Sequence, residues 1–318
     1  MISEKLAGRH IAITGATGFL GTALVERLLR SVSDCHLVLI VRPGRRGAAQ
    51  RVEREILRNN AFDSLRDRLG PDGFAEMAAR RITPVAGDVT AEGLGLDDQG
   101  RAALTGCDLF IHSAAMVSFD SPLDQAVEVN LLGPVRIART LADLNATPHL
   151  IAVSTCYVAG SRRGAAVEEP VDNSPFFVSA EWGAEVDAAR RSRHEAESAS
   201  RTPEKLASFR TDARNDLGAA GIPALAAKTE QLRARWVNDR LAKAGRSRAA
   251  SLGFPDAYAY TKAFGELALA ETSGDIPVSI IRPSIIESAL AEPAPGWIRG
   301  FRMAEPVIIA YARGLLKE

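Results

Sequence analysis

Thr14-Gly15-Ala16-Thr17-Gly18-Phe19-Leu20-Gly21 is the stretch that decides the fold. It follows a short apolar run, His10–Thr14, that reads as a strand. It opens a stretch in which Leu20, Leu24, Leu28 and Val32 recur at helical spacing. Closely spaced glycines are informative in this setting, between a strand and a helix. They let the backbone turn tightly and approach a pyrophosphate, which then rests on the helix N-terminus, where unpaired N–H groups and the helix dipole favour an anion. Gly15, Gly18 and Gly21, with Thr17, Phe19 and Leu20 between them, are therefore candidate dinucleotide ligands.

Outward from this turn, strand-like and helix-like patterns alternate. His36–Val41, Ile82–Ala86, Asp108–His112, Leu150–Ser154 and Pro277–Ile281 are further β-branched runs. Nearly unbroken apolar stretches such as Leu37-Val38-Leu39-Ile40-Val41 are what strands covered on both faces look like. The pattern predicts an α/β fold, a doubly wound parallel sheet of Rossmann type. One segment breaks the alternation. Ser179–Gly253 is rich in Ala, Arg, Glu and Asp and predicts a helical insertion, with Leu232, Trp236 and Leu241 on one face. Such an insertion is either a solvated addition or a lid over a substrate groove. Its two ends leave and re-enter the chain next to the residues assigned below to the reaction.

Composition narrows the partners. The chain has 318 residues, 46% hydrophobic and 25% charged, with a formal net charge of +0. No global basic field points to nucleic acid. Three cysteines, odd in number and widely spaced, form neither a disulfide framework nor a zinc pattern, so no metal and a reducing, cytoplasmic setting are expected. No run approaches the roughly 18 apolar residues of a transmembrane helix. Trp297, Ile298, Arg299, Phe301 and Arg302 interleave aromatic and basic character, as a pocket rim or a membrane-surface contact would.

The second strand runs into Val41-Arg42-Pro43, followed by Arg45 and Arg46. An NAD site places an acidic residue there for the ribose hydroxyls, whereas a guanidinium pairs with the 2′-phosphate of NADP. Arg42 is thus the predicted NADPH determinant, helped by Arg45 or Arg46. Of four tyrosines only Tyr258 has a lysine four residues on, Lys262, in a chain with six lysines. That spacing stacks the two on one helical face. The ammonium is expected to lower the phenol's pKa so that Tyr258 gives up a proton near neutral pH, while Lys262 also holds the nicotinamide ribose. Val153-Ser154-Thr155-Cys156-Tyr157 offers a hydroxyl at the end of the fifth strand. Cys156 has no histidine base beside it in sequence and reads as a small buried residue rather than a thioester-forming nucleophile.

The Gly-x-x-Gly-x-x-Gly spacing resembles the extended short-chain dehydrogenase/reductase superfamily. That resemblance implies that Asp88 and Val89 meet the adenine and that Ser113, Ala114 and Ala115 lie against the cofactor. It further implies that Asn130 props the active site and that Thr155, with Ser154 second, is the hydroxyl that binds the substrate carbonyl. Arg282-Pro283-Ser284-Ile285-Ile286, followed by Glu292-Pro293-Ala294-Pro295-Gly296-Trp297-Ile298, resembles the fatty acyl-CoA reductases and the related thioester reductases. Pro283, Ser284 and Ile285 would then line the nicotinamide. The implied reaction is NADPH-dependent reduction of a fatty acyl-CoA or acyl-carrier thioester to the aldehyde, or onward to the alcohol.

The implied organisation is an NADP-binding domain over residues 8–290, interrupted by the insertion at 179–253, with residues 291–318 opening a substrate lobe. Two departures stand out: the long gap from Thr155 to Tyr258, and a family pattern that continues past Gly296-Trp297 further than this chain does. Strong NADPH binding is therefore expected, with poor or no reduction of long-chain acyl-CoA by these residues alone, because the acyl-chain wall is incomplete. The rival readings are a sugar-nucleotide epimerase or dehydratase, which would want an acid in place of Arg42, and a non-catalytic NADP-binding module, which would not need Thr155, Tyr258 and Lys262.

Overall fold

The computed structural model describes residues 2–218, 223–300 and 305–315. Phe301 and Arg302, and parts of the 179–253 and 291–318 stretches, lie outside the described residues. Two compact units divide the chain. The first holds Met1–Ala114, Arg136–Val153 and Ser273–Glu318, and the second Ala115–Val135 and Ser154–Thr272. In chain order the strands are β1 (His10–Thr14), β2 (His36–Val41), β3 (Ile82–Ala86), β4 (Leu109–His112), β5 (His149–Val153) and β6 (Val278–Ile281). The helices are α1 (Ile2–Leu6), α2 (Phe19–Ser31), α3 (Gly47–Val52), α4 (Asp63–Arg81), α5 (Asp98–Thr105) and α6 (Leu123–Ala126), then α7 (Leu132–Asp143), α8 (Trp182–Ser200), α9 (Pro203–Leu217), α10 (Leu225–Ser251), α11 (Ala257–Thr272) and α12 (Glu305–Ala312). Among the described residues, no helix is long and apolar enough to cross a membrane.

In the first unit all six strands pair in parallel, in the order β3-β2-β1-β4-β5-β6. The order reverses between β1 and β4, so β1 ends at the topological switch point, where ligands of doubly wound sheets bind. Ile11, Ile13, Leu37 and Leu39 are fully buried, as the continuous apolar runs require. The inward face of α2 is Thr22, Val25, Leu28 and Leu29, with Leu20 and Leu24 only half-buried. This corrects the expected Leu20–Leu24 stripe, because the glycine turn sets where the helix starts and hence how it is rotated.

The second unit has its own core, built from Leu123, Val127 and Leu131, from Val186 and Ala189 of α8, and from Tyr260, Ala263 and Phe264 of α11. α11 crosses the π-turn Val127–Leu131 at Gly265, where a methyl group would lie 2.4 Å from the Asn130 carbonyl oxygen. Residues 182–200, 203–217 and 225–251 are helical, as α8, α9 and α10. The chain enters and leaves this stretch through one neck. The Ser161 N–H donates to the Gly253 carbonyl at 2.7 Å, and Gly160 and Gly253 both hold positive φ there.

On α10 the buried row is Arg233, Val237 and Leu241, not the expected Leu232-Trp236-Leu241 face. Arg233 is buried because α8 supplies Glu197 (2.6 Å) and Ser200 (2.8 Å) as acceptors, and Glu230 on its own helix accepts as well. A paired guanidinium can occupy a core position that hydrophobic patterning assigns to an apolar side chain.

Candidate active site

In the first unit the glycine turn is a cradle shaped by the absence of side chains. Gly15 has φ +76°, and a Cβ there would lie 2.5 Å from the Ala114 nitrogen at the end of β4. A Cβ on Gly21 would lie 2.2 Å from the Gly15 carbonyl oxygen. The Gly18 N–H closes the turn onto that carbonyl at 2.9 Å, and Gly18 then caps α2. Thr22 braces the loop by donating to the Ala16 carbonyl at 3.0 Å. Ser113 donates to the Thr14 carbonyl from both its N–H and its hydroxyl at 3.2 Å, which fixes the end of β4 to the end of β1. Backbone this bare at a helix N-terminus fits a dinucleotide pyrophosphate.

The other first-unit candidates sit at the carboxyl ends of the strands. Arg42, Arg45 and Arg46 follow β2 with exposed side chains, and the Arg42 carbonyl accepts from Arg51 at 2.8 Å. After β3, the Asp88 carboxylate accepts from the Thr90 N–H and hydroxyl, both at 2.9 Å. The Val89 carbonyl faces the Arg136 guanidinium at 3.4 Å. After β6, Pro283 is half-buried while Ser284 and Ile285 are exposed. His112 is a buried strand-end residue that shares a 2.8 Å hydrogen bond with Thr14.

Trp297 is 6% exposed. Its ring stacks on Phe19 at 5.1 Å and its indole N–H donates to Asn60 at 2.9 Å. That corrects the pocket-rim and membrane-surface expectation for this residue: the Pro-Gly-Trp turn is a packing element beneath the first turn of α2, and its ring is spent on the core.

In the second unit, Tyr258 and Lys262 lie one turn apart on α11, Lys262 buried and Tyr258 half-buried. Thr155 caps the 3₁₀ turn Cys156–Ala159, accepting from the Tyr157 N–H at 3.3 Å, and its hydroxyl is near enough to Tyr258 to lower the phenol's pKa. Ser154 is engaged elsewhere: its hydroxyl donates to the carboxylate of Glu266. Asn130, 1% exposed, accepts from the Met116 N–H and donates to the Met116 carbonyl, both at 2.9 Å. Its amide also donates to the Thr261 hydroxyl at 3.2 Å, tying the loop after Ala115 to α11. Phe119 lies edge-on to Tyr258 at 6.1 Å and to Tyr157 at 6.4 Å.

The electrostatics reverse one expectation. Burial pushes the Tyr258 phenol up, the Thr155 hydrogen bond pulls it down, and the net is upward. The lysine-lowered pKa read from the four-residue spacing is therefore corrected: burial dominates, the Asp256 carboxylate acts in the same upward direction, and Tyr258 is a neutral phenol that can donate. Lys262 is lowered to about 8 by burial, with the Glu266 carboxylate acting the other way.

Glu266 was not among the residues singled out from the sequence. Its signal was present, since Tyr258, Lys262 and Glu266 follow one another at intervals of four on one helical face.

The strand order, the switch point and the glycine cradle define the class: a doubly wound Rossmann domain with the turn of a dinucleotide-binding fold. Residues 13–318 match the family described as male sterility protein, an NAD-binding domain, and the chain belongs to that family. A nicotinamide dinucleotide is accordingly its cofactor class. Among curated relatives, the chain is 30% identical over 318 residues to the chloroplastic fatty acyl-CoA reductase 2 of Arabidopsis thaliana, covering 99% of this chain and 47% of the relative. It is also 30% identical over 320 residues to the alcohol-forming fatty acyl-CoA reductase of Simmondsia chinensis, covering 99% and 59%. The chain thus spans about half the length of the curated relatives it matches. Among solved structures, the terminal R domain from the myxalamid biosynthetic pathway aligns with a TM-score of 0.51 at 21% identity, over 88% of this chain and 50% of that one, a likeness of fold.

Proposed function

We propose that this domain is the cofactor-binding and catalytic part of an NADPH-dependent reductase of fatty acyl thioesters. The observation that carries the reading is the grouping of Thr155, Tyr258 and Lys262 within one compact unit, the Thr155 hydroxyl near the phenol and the ammonium one helical turn away. Such a set serves a carbonyl oxygen that gains negative charge. The names of the relatives supply the substrate class, an acyl thioester, and Arg42 in place of an acid favours the 2′-phosphate of NADP.

The bound nicotinamide supplies a hydride. The chain's own residues act at the substrate oxygen: Thr155 donates a hydrogen bond to it, and the Tyr258 phenol gives it a proton. Collapse of the resulting hemithioacetal expels the thiol and leaves the aldehyde. Lys262 holds the ribose hydroxyls, and its charge favours the phenolate that Tyr258 becomes. Asn130 keeps the Met116 peptide and the Thr261 turn in register with this group. Gly15, Thr17, Gly18, Phe19, Leu20 and Gly21 cradle the pyrophosphate. Asp88 and Val89 serve the adenine, Ser113, Ala114 and Ala115 let the cofactor approach the backbone, and Pro283, Ser284 and Ile285 cover the nicotinamide. Residues 8–290 act as the NADP-binding domain and residues 291–318 begin the substrate lobe. Three free cysteines fit a reducing compartment such as the cytoplasm.

The test is consumption of NADPH and of NADH with acyl-CoAs of graded length, with the products identified by mass spectrometry. NADPH-dependent formation of aldehyde or alcohol is expected. Turnover of a nucleotide sugar, with none of any acyl thioester, would replace this reading with the epimerase one.

A further inference from the structure

Glu266 is a carboxylate only 6% exposed, inside the second unit and next to Lys262. A buried charge is costly unless it is paired and hydrogen-bonded, so its retention calls for a physical reason. Two contacts describe its place. The Ser154 hydroxyl donates to it from just beyond β5, and Lys262 lies one turn back on the same face of α11. Resting on the proposed function above, we infer that Glu266 is a positioning residue that keeps Lys262 protonated and aimed at the cofactor, with Ser154 as the anchor that fixes the carboxylate.

The physical case starts from Lys262. An ammonium taken fully out of water tends to lose its proton, and burial alone would carry it well down. An opposite charge on the same helical face opposes that loss. On elements packed against α11, Asp124 pairs with Arg193, Glu128 with Arg190, and Glu185 with Arg248. Glu266 is the charged group whose field reaches Lys262. The Ser154 hydrogen bond anchors that carboxylate, which favours one placement of its charge. The two hydroxyls that the sequence offered at the end of β5 thereby take different tasks, Thr155 toward Tyr258 and Ser154 toward Glu266.

The two groups are coupled, so removing the carboxylate shifts Lys262 further down from about 8 and toward neutrality under ordinary conditions. A neutral amine loses its charge-assisted hold on the ribose hydroxyls. Cofactor affinity in the wild type should accordingly fall as pH rises through the Lys262 titration, and in Glu266→Gln the same fall should come earlier.

The experiment is a fluorescence titration of NADPH from pH 6 to 10 on the whole chain, which reads binding without turnover. Proteins compared are the wild type, Glu266→Gln, Glu266→Asp, Ser154→Ala and Lys262→Met, each checked for folding by circular dichroism. The midpoint of the alkaline loss of affinity should drop by about one pH unit in Glu266→Gln, return most of the way in Glu266→Asp, and be absent in Lys262→Met. Where Glu266→Gln does not fold, Ser154→Ala carries the test, with a smaller displacement in the same direction. An unmoved midpoint in Glu266→Gln (or in Ser154→Ala), together with its loss in Lys262→Met, overturns the positioning role and leaves the proposed function standing. A Lys262→Met protein that keeps the wild-type midpoint instead removes Lys262 from the cofactor site, and the assigned triad falls with it.

Discussion

The carboxylate of Glu185, on α8, accepts a 2.5 Å hydrogen bond from the phenol of Tyr260, on α11 two residues from Tyr258. The Arg248 guanidinium of α10 closes the group, pairing with both oxygens of the same carboxylate. Three helices thus meet at one buried acid, and the helix bearing Tyr258 and Lys262 is one of them. Arg193–Asp124, Arg190–Glu128 and Arg246–Asp120 add links from the same insertion to residues 120–128. The insertion is thus joined to the rest of its unit by a buried carboxylate and by a set of ion pairs.

Removing this clamp should be felt in stability. Glu185→Ala is expected to cost about 2–3 kcal/mol and Tyr260→Phe about 1.5–3 kcal/mol, the range for hydrogen bonds to charged groups. Urea denaturation followed by circular dichroism measures both, and a loss below about 0.5 kcal/mol in each would show the clamp to be ornamental.

The same group sets an acid limit. Burial pushes the Glu185 carboxyl up, but Arg248 and Tyr260 pull it down further, so its net pKa lies below the ordinary value. A carboxyl depressed in the folded state contributes stability above the unfolded-state pKa and loses it as pH falls through the folded value. Stability should therefore decline below about pH 4, and Glu185→Gln should flatten that part of the profile. Melting temperatures from pH 3 to 7 decide it, and an equally steep decline in the variant would assign the acid sensitivity to other carboxylates.

Gly21→Ala should weaken cofactor binding by distorting the glycine turn. The new methyl would meet the Gly15 carbonyl at 2.2 Å, and backbone cannot yield cheaply. An affinity loss of at least about tenfold is expected from overpacking of this kind. Titration of NADPH fluorescence reads it, and unchanged affinity would mean that the cradle is not the pyrophosphate site.

Arg42→Asp should cost on the order of 2 kcal/mol in NADPH binding and little in NADH binding, because only the former carries the 2′-phosphate. Competitive titration of the two cofactors gives the ratio. Equal affinity of the native protein for both would remove Arg42 from the account.

Much of the fold was readable in the sequence because parallel strands covered on both faces are unbroken apolar runs. The six expected strands match those observed to within a residue at each end. The glycine turn was readable for a related reason: a position that cannot accept a Cβ must be glycine. The buried charges were not readable. Arg233, Glu185 and Glu266 look like residues of a solvated helix, and only partners 36, 75 and 112 positions away make them interior. The direction of the Tyr258 shift was missed for the same reason, since desolvation depends on what packs around a ring and not on the spacing to a lysine. Trp297 looked like a rim residue until its stacking partner, Phe19, was brought in from the other end of the chain.

The most direct measurement is transfer of label from NADPH deuterated at nicotinamide C4 to acyl-CoAs of graded length, with the native protein and Tyr258→Phe compared. The native protein should place deuterium on C1 of the aldehyde or alcohol. Tyr258→Phe should bind NADPH normally yet form product at least about a hundredfold more slowly, as loss of a general acid entails. Deuterium absent from C1, or Tyr258→Phe working at the native rate, would contradict the account.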